Sequence, residues 1–342
     1  MTISVFAKRA VARLMSMTGI TSYILTCHAL HGFIILMYHR ILDRSNINNT
    51  LEPGMYVEAK TFDLHLTLLK NIFHIVSLKE VNNLIKDQSK YRDRMPCVIT
   101  FDDGWLDFFT NASPILMKHK VPATVFLPTD FIGSEKWFWT DRLTFLFSGI
   151  DNKISLQGRI EEIRNPVARQ VVSLKGNSIQ KLDKAIRLLK VYRSENIEEI
   201  ITELATAWGS DPNPPGRAFM SWEEVIQVAQ SGLIEFGSHT ASHPILTTLT
   251  NDEIREELKR SKVQLLEHKV VDPKFIPFCY PNGDFDDRIK SMVEDAGFSA
   301  AVTTRSGWNN PDEEIYALRR IGLHQDMSSN DALLNCRIAG LM

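Results

Sequence analysis

Two short stretches hold the residues best suited to do chemistry. In VITFDDGW (98–105) an apolar, β-branched run ends in two adjacent aspartates, Asp102 and Asp103, followed by Gly104. Neighbouring ionised carboxylates repel unless a positive charge intervenes or the two do different work. In GSHTASHP (237–244), His239 and His243 stand four residues apart ahead of a proline. Two imidazoles at that spacing meet one cation if the turn between them is helix-like. A divalent cation would unite the stretches, with one aspartate joining the histidines as a ligand and the other left free as a base. The cation's charge relieves the repulsion and keeps both carboxylates ionised at neutral pH. Two histidines and one carboxylate also leave coordination positions open, as in catalytic rather than structural zinc sites. Taken singly, Asp-Gly is a common turn pair and the histidines could be surface or capping groups. It is the placement of both stretches at strand ends that points to a site.

The elements that must position these residues follow from periodicity. Residues 33–40, 96–103, 122–130, 233–239, 275–281, 299–305 and 316–324 are short, rich in β-branched or aromatic residues and bounded by turn residues, and are predicted strands. Helical patterns lie at 61–71, 113–119, 251–269 and 286–296, with Asn251 or Asp252 as the expected cap of the third. The alternation implies a parallel sheet, open or closed into a barrel, and in such folds ligands gather at the carboxyl ends of the strands. Those ends carry His39, Asp102 with Asp103, Asp130, His239 with His243, Pro281 with Asn282, Arg305 and His324. Four of the ten histidines sit there, a preference that scattered core histidines would not show. Residues 131–232 are too long for a single crossover, and 137–216 reads as a helical insertion between the third and fourth strands. DPNPPG (211–216) stops it, and Ser221 with Glu224 forms a capping box that resumes the core fold. Trp139, at the start of the insertion, is expected to pack the insertion onto the barrel, with stacking on a sugar ring as the alternative.

Composition sets outer bounds. The chain has 342 residues, 44% hydrophobic and 23% charged, enough for one large α/β domain or two smaller ones. A net charge of −2 supplies no basic field for nucleic acid, so no nucleic-acid partner is expected. Cys27, Cys97, Cys279 and Cys336 form no C-x-x-C pair, which fits a reducing compartment better than a disulfide framework. In the N-terminal segment 1–31, Lys8, Arg9 and Arg13 interrupt the apolar residues instead of preceding them, unlike a signal peptide. Val5, Val11, Leu14 and Met15 are expected to share one face of a basic amphipathic helix. That helix would pack on its own domain or lie on an anionic membrane. The expected location is cytoplasmic, peripheral at the inner membrane face.

TFDDG (100–104), SHTASH (238–243), YPNG (280–283), the LH at 323–324 and the ILMYHRI opening at 35–41 together resemble the polysaccharide deacetylases, carbohydrate esterase family four. The similarity runs from about 34 to 326 apart from the insertion; its first two motifs are highly specific and the later ones looser. It implies a distorted (β/α)7 barrel and a metal-dependent hydrolase that removes acetyl groups from N-acetylated sugars of a polysaccharide or lipid-linked glycan precursor, in envelope or exopolysaccharide synthesis. The divalent metal would be Zn2+ first, with Co2+, Ni2+ or Mn2+ as alternatives. Carried over position by position, the resemblance makes Asp102 the general base, Asp103, His239 and His243 the metal ligands, Pro281 and Asn282 the oxyanion loop, and His324 the general acid. His39 and Arg305 are further pocket candidates. Three departures stand out. Cys279 occupies a position where the family often has an arginine that orients the base, leaving Arg305, Arg319 and Arg320 as substitutes. Asn282 replaces the usual aromatic residue after the proline. TTRSGW (303–308) shows no match to the Asp-x-x-Asp-Trp motif that often buttresses the acid, leaving Asp326 as the fallback partner. Two other readings share these residues: a deformylase or other amidohydrolase on the same barrel, and a non-catalytic carbohydrate-binding protein.

Overall fold

The computed structural model describes residues 5–29, 32–46, 53–86, 91, 93–150, 161 and 163–341. Ten strands occur in them: β1 (Ile34–Tyr38), β2 (Arg40–Leu42), β3 (Tyr56–Glu58), β4 (His74–Val76), β5 (Pro96–Phe101), β6 (Ala123–Leu127), β7 (Ile234–Ser238), β8 (Pro277–Cys279), β9 (Ala300–Val302) and β10 (Ile321–Gly322). Eight of them form a parallel sheet, seven in the order β10-β1-β5-β6-β7-β8-β9 and β4 beside β5. The residues leading into β10 also lie along β9. Leu318 N donates to Ala301 O at 3.0 Å, Thr303 N to Leu318 O at 2.9 Å and Arg320 N to Arg305 O at 2.9 Å. These bonds join the two ends of the sheet and make the distorted (β/α)7 barrel. Every residue of β5 and β6 is buried, as expected of parallel strands covered on both faces.

All seven expected strands are present, each shorter than its apolar run. The last shrinks most, from 316–324 to Ile321–Gly322, because its first half spends its backbone bonds closing the ring. Two features escaped the periodicity. β4 pairs with the first half of β5 (Ile75 opposite Cys97), while β6 takes the second half (Thr100 opposite Thr124). β2 and β3 form a small parallel pair of their own. Three residues are too few to show a period of two.

The helices are α1 (Val5–Met17), α2 (Ile20–Ala29), α3 (Ala59–Ile72), α4 (Val81–Lys86), α5 (Ser113–His119), α6 (Trp139–Ile150), α7 (Pro166–Val172), α8 (Ser178–Leu189), α9 (Ser194–Trp208), α10 (Trp222–Ala229), α11 (Asn251–Glu267), α12 (Asp287–Asp295), α13 (Gln325–Ser328) and α14 (Asp331–Ile338). Ser221 and Glu224 make the capping box of α10. For α11 the cap is Thr250 in a box with Glu253, in place of Asn251 or Asp252. A reciprocal box satisfies two orphan N–H groups where a lone cap satisfies one.

Two compact units divide the chain: Glu135–Ala218, and the remaining described residues. The first contains α6 to α9 around its own core of Leu143, Phe147, Ile163, Leu189, Ile201 and Leu204. Trp139 is half-buried against that core, so its ring is engaged in the packing of the helical unit.

At the N-terminus, α1 lies on α14 through Ala12, Met15, Leu333 and Cys336. The expected apolar face is therefore split. Met15 turns inward, whereas Val11 and Leu14 remain exposed. The Val5 side chain lies outside the described part. None of the described helices is long and apolar enough to cross a membrane. Cys97, Cys279 and Cys336 are free and buried.

Candidate active site and metal centre

The two aspartates at the end of β5 diverge. Asp103 has a φ of 75°, a left-handed backbone unusual outside glycine, and its carboxylate meets Trp105, His239 and His243, whereas that of Asp102 meets Arg320. Gly104 follows at φ 65°, where an added Cβ would meet Leu127 Cδ2 at 2.6 Å. Only glycine fits there. Thr240, His243 and Asn282 also have positive φ, so four of the six such non-glycine residues among the described ones lie in these loops. Strain of this kind persists where the surrounding structure enforces a functional geometry.

Asp103 Oδ1 lies 3.5 Å from His239 Nε2 and 3.5 Å from His243 Nε2, and the two Nε2 atoms are 3.2 Å apart. Three ligands each ~2.1 Å from a tetrahedral zinc sit ~3.4 Å from one another, so these atoms fit such a cation closely. The tautomers agree. His239 Nδ1 donates to Cys279 O at 2.8 Å, leaving the Nε2 lone pair facing Asp103. Burial lowers the His239 pKa to about 4 and pushes His243 well below its usual value, so both rings are neutral, the form that binds metal. The other oxygen of Asp103 accepts from Trp105 Nε1 at 3.0 Å, and Trp105 stacks on Phe219. Glu257 of α11, buried, accepts from Ala241 N and Ser242 N at 3.0 and 2.8 Å and so shapes the turn between the histidines. Trp105 and Glu257 carry no sequence signal for these tasks, since neither belongs to a spaced set of ligating residues.

Asp102 has a different partner. Arg320 Nη1 and Nη2 donate to its Oδ1 and Oδ2, both at 2.7 Å, a fork-to-fork pair with both groups buried. The same guanidinium donates to Thr303 O at 2.8 Å, Thr100 Oγ1 at 3.2 Å and Cys279 Sγ at 3.2 Å. Burial alone would raise the Asp102 pKa, but the charge and hydrogen bonds of Arg320 outweigh it and hold the carboxyl well below its usual range. Of the three arginines left open by the sequence, Arg320 takes the position. Arg319 pairs with Glu313, and Arg305 lies over the Phe285 ring, 4.5 Å from its centroid. Asp102, His239 and Cys279 also converge, but they suit a cation poorly. Both Asp102 oxygens are occupied by a guanidinium, and burial keeps the Cys279 thiol protonated.

His39 Nε2 lies 3.9 Å from Asp102 Oδ2, and burial lowers its pKa. His324 caps α13, and its Nδ1 pairs with Asp326 Oδ1. That loop is pinned from below: Ser328 Oγ donates to His324 O at 2.8 Å, and Ser328 O lies 2.7 Å from His65 Nε2. His65 Nδ1 in turn lies 3.1 Å from the Tyr38 hydroxyl. This chain from β1 to α13 is a second set of supports that spacing could not reveal. Pro281 and Asn282 follow β8 after Tyr280, with Asn282 at φ 56° and its carbonyl accepting from Thr304 Oγ1 at 3.4 Å.

The strand ends of the barrel thus gather an Asp-His-His set with the donor atoms for one divalent cation, beside a carboxylate held ionised by an arginine. The polysaccharide deacetylase family model matches residues 89–173 and 176–301, and the chain belongs to that family, hydrolases of the amide bond of N-acetyl groups. Over 298 residues it is 23% identical to YxkH of Bacillus subtilis (strain 168), named for the same family, covering 86% of this chain and 73% of the relative. Among solved structures it is similar to the Streptococcus pyogenes deacetylase PplD (20% identity, TM-score 0.57, covering 89% of this chain and 97% of that one). It is likewise similar to IcaB from Ammonifex degensii (19% identity, TM-score 0.57, the same coverages). These likenesses concern the fold.

Proposed function

We propose that the chain is a metal-dependent de-N-acetylase of amino sugars in a polysaccharide or lipid-linked glycan precursor, serving envelope or exopolysaccharide synthesis. The observation that carries this reading is the Asp103–His239–His243 tripod, with ligand atoms 3.2–3.5 Å apart, beside an Asp102 held ionised by Arg320. Asp103, His239 and His243 would hold the cation, with zinc as the first choice for two imidazoles and one carboxylate. When bound, it supplies a Lewis acid that makes water a nucleophile near neutral pH and polarises an acyl oxygen.

The residues of the chain do the rest. Asp102 takes the proton as water attacks the acetyl carbonyl. Its clamp fixes the carboxylate's direction, and the charge of Arg320 keeps it ionised. The Asn282 N–H, on the loop after β8, stabilises the oxyanion. His324, oriented through Nδ1 by Asp326, donates a proton from Nε2 to the departing sugar amine, which leaves poorly as an anion. His39 faces the same carboxylate as the base and lines the space above it. The test is metal analysis of the purified chain joined to acetate-release assays over N-acetylated glycans of differing length. Stoichiometric metal with acetate release supports the reading. Formate release from N-formyl substrates alone would redirect it to a deformylase, and glycan binding with no hydrolysis under any metal would leave only a binding protein.

A further inference from the structure

We propose that the α1–α2 hairpin is a membrane-docking surface that seats the protein on an anionic bilayer. Five large apolar side chains are exposed within thirteen residues: Val11 (43%), Leu14 (63%), Met17 (85%), Ile20 (45%) and Tyr23 (72%). The other exposed large apolar residues, such as Leu64, Ile179 and Val263, are scattered along the chain. Single exposed residues are ordinary; five apolar side chains exposed on two successive helices point to an interaction surface.

The hairpin is not a loose tail. Ala12 is fully buried and packs with Met15 against Leu333 and Cys336, and Cys336 Sγ lies 3.8 Å from Ala12 O. At 100° per residue, that inward anchor sends Leu14 and Met17 outward, with Val11 on one flank and Arg9 and Arg13, both exposed, on the other. The two helices meet at Gly19, whose φ of 75° makes the tight reversal. At 13 and 10 residues neither helix can span a bilayer, but each has the length to lie in its surface plane.

Charge identifies the occupant. The first acidic residue of the chain is Asp43, so the segment of the hairpin carries Lys8, Arg9 and Arg13 with no carboxylate, although the whole chain is at −2. A second copy docking face to face would oppose two such basic surfaces, which disfavours self-association. Anionic lipid headgroups complement the arginines while the acyl boundary takes Leu14, Met17, Ile20 and Tyr23. The inference does not depend on the catalytic reading.

The test uses the full chain in flotation with phosphatidylcholine vesicles and with vesicles containing about one-third phosphatidylglycerol. Wild type is expected to bind the anionic vesicles and to lose most of that binding in 0.5 M salt. Leu14→Gln with Met17→Gln should weaken binding at least ten-fold, and Arg9→Ala with Arg13→Ala should abolish the preference for anionic lipid. All variants should keep the wild-type circular dichroism and melting temperature, because the altered side chains are exposed. Failure of folded wild type to bind either vesicle overturns the proposal. So does binding unchanged in the Leu14/Met17 variant, or light scattering that shows a dimer which this variant converts to monomer.

Discussion

Arg320 grips Asp102 with two hydrogen bonds of 2.7 Å from 218 residues further along the chain. The pair spans the closure of the barrel: Asp102 follows β5, and Arg320 immediately precedes β10, where the chain joins β9 to β1. Cys279 Sγ completes the guanidinium's surroundings at 3.2 Å. An arginine at 279 would bring a second buried cation to the same carboxylate. The cysteine and Arg320 therefore make one arrangement, in which the guanidinium comes from the segment between β9 and β10 instead of from the end of β8.

Breaking that pair separates metal binding from turnover. Asp102→Asn should retain stoichiometric metal and lose activity by 10²-fold or more, the scale of a general base. Elemental analysis beside acetate release checks it; a near-wild-type rate would show that another group takes the proton.

Arg320→Met leaves a buried carboxylate uncompensated, which typically costs ~3–5 kcal/mol. We expect a fall in melting temperature and a rise in the acidic pKa of the kcat/KM profile as Asp102 loses its stabilising charge. Arg320→Lys should recover part of the stability but less of the rate, since an ammonium cannot hold both oxygens in one plane.

Asp103→Ala and His239→Ala should each lose bound metal and activity together. In the wild type a chelator should abolish acetate release, and added zinc should restore it. Loss of activity with full metal occupancy in either variant would remove that residue from the ligand set.

Acid stability should depend on His65. Burial lowers its pKa from 6.5 to about 4. The unfolded chain therefore binds the proton first as pH falls, and stability present above pH 6.5 is lost on the way down to about 4. The shift corresponds to about 2 kcal/mol between pH 7 and pH 5. Urea unfolding at the two pH values should show a smaller difference in His65→Gln than in wild type. Equal differences would mean that the ring is not held neutral.

Asp326→Asn should lower kcat by roughly ten- to a hundred-fold, because the His324 ring loses the carboxylate that orients it through Nδ1. His324→Ala should cost more, and acetate-release kinetics on the two variants check the order.

The chemistry-bearing residues and the order of the strands that carry them were legible in the chain itself. Alternating strands and helices dictate a parallel sheet, strand ends dictate where ligands gather, and Asp103, His239 and His243 sit at those ends at local spacings. What the local pattern could not decide was anything set by closure or by packing between distant segments. Residues 319 and 320 are both arginines, and neighbours on an extended chain face opposite ways. Which one faces inward depends on the register of Leu318–Arg320 against β9, settled only when the ring closes; Arg319 then meets Glu313 and Arg320 meets Asp102. By type Trp139 read either as a packing residue at the start of the insertion or as a sugar platform, and it packs on the helical unit's own core. The supports His65, Ser328 and Glu257 have no motif, because their contacts at the site, with backbone atoms, a tyrosine and a serine, are brought near by tertiary packing. Sequence spacing records contacts within a turn or strand, whereas contacts across the barrel exist only once burial has paired the strands.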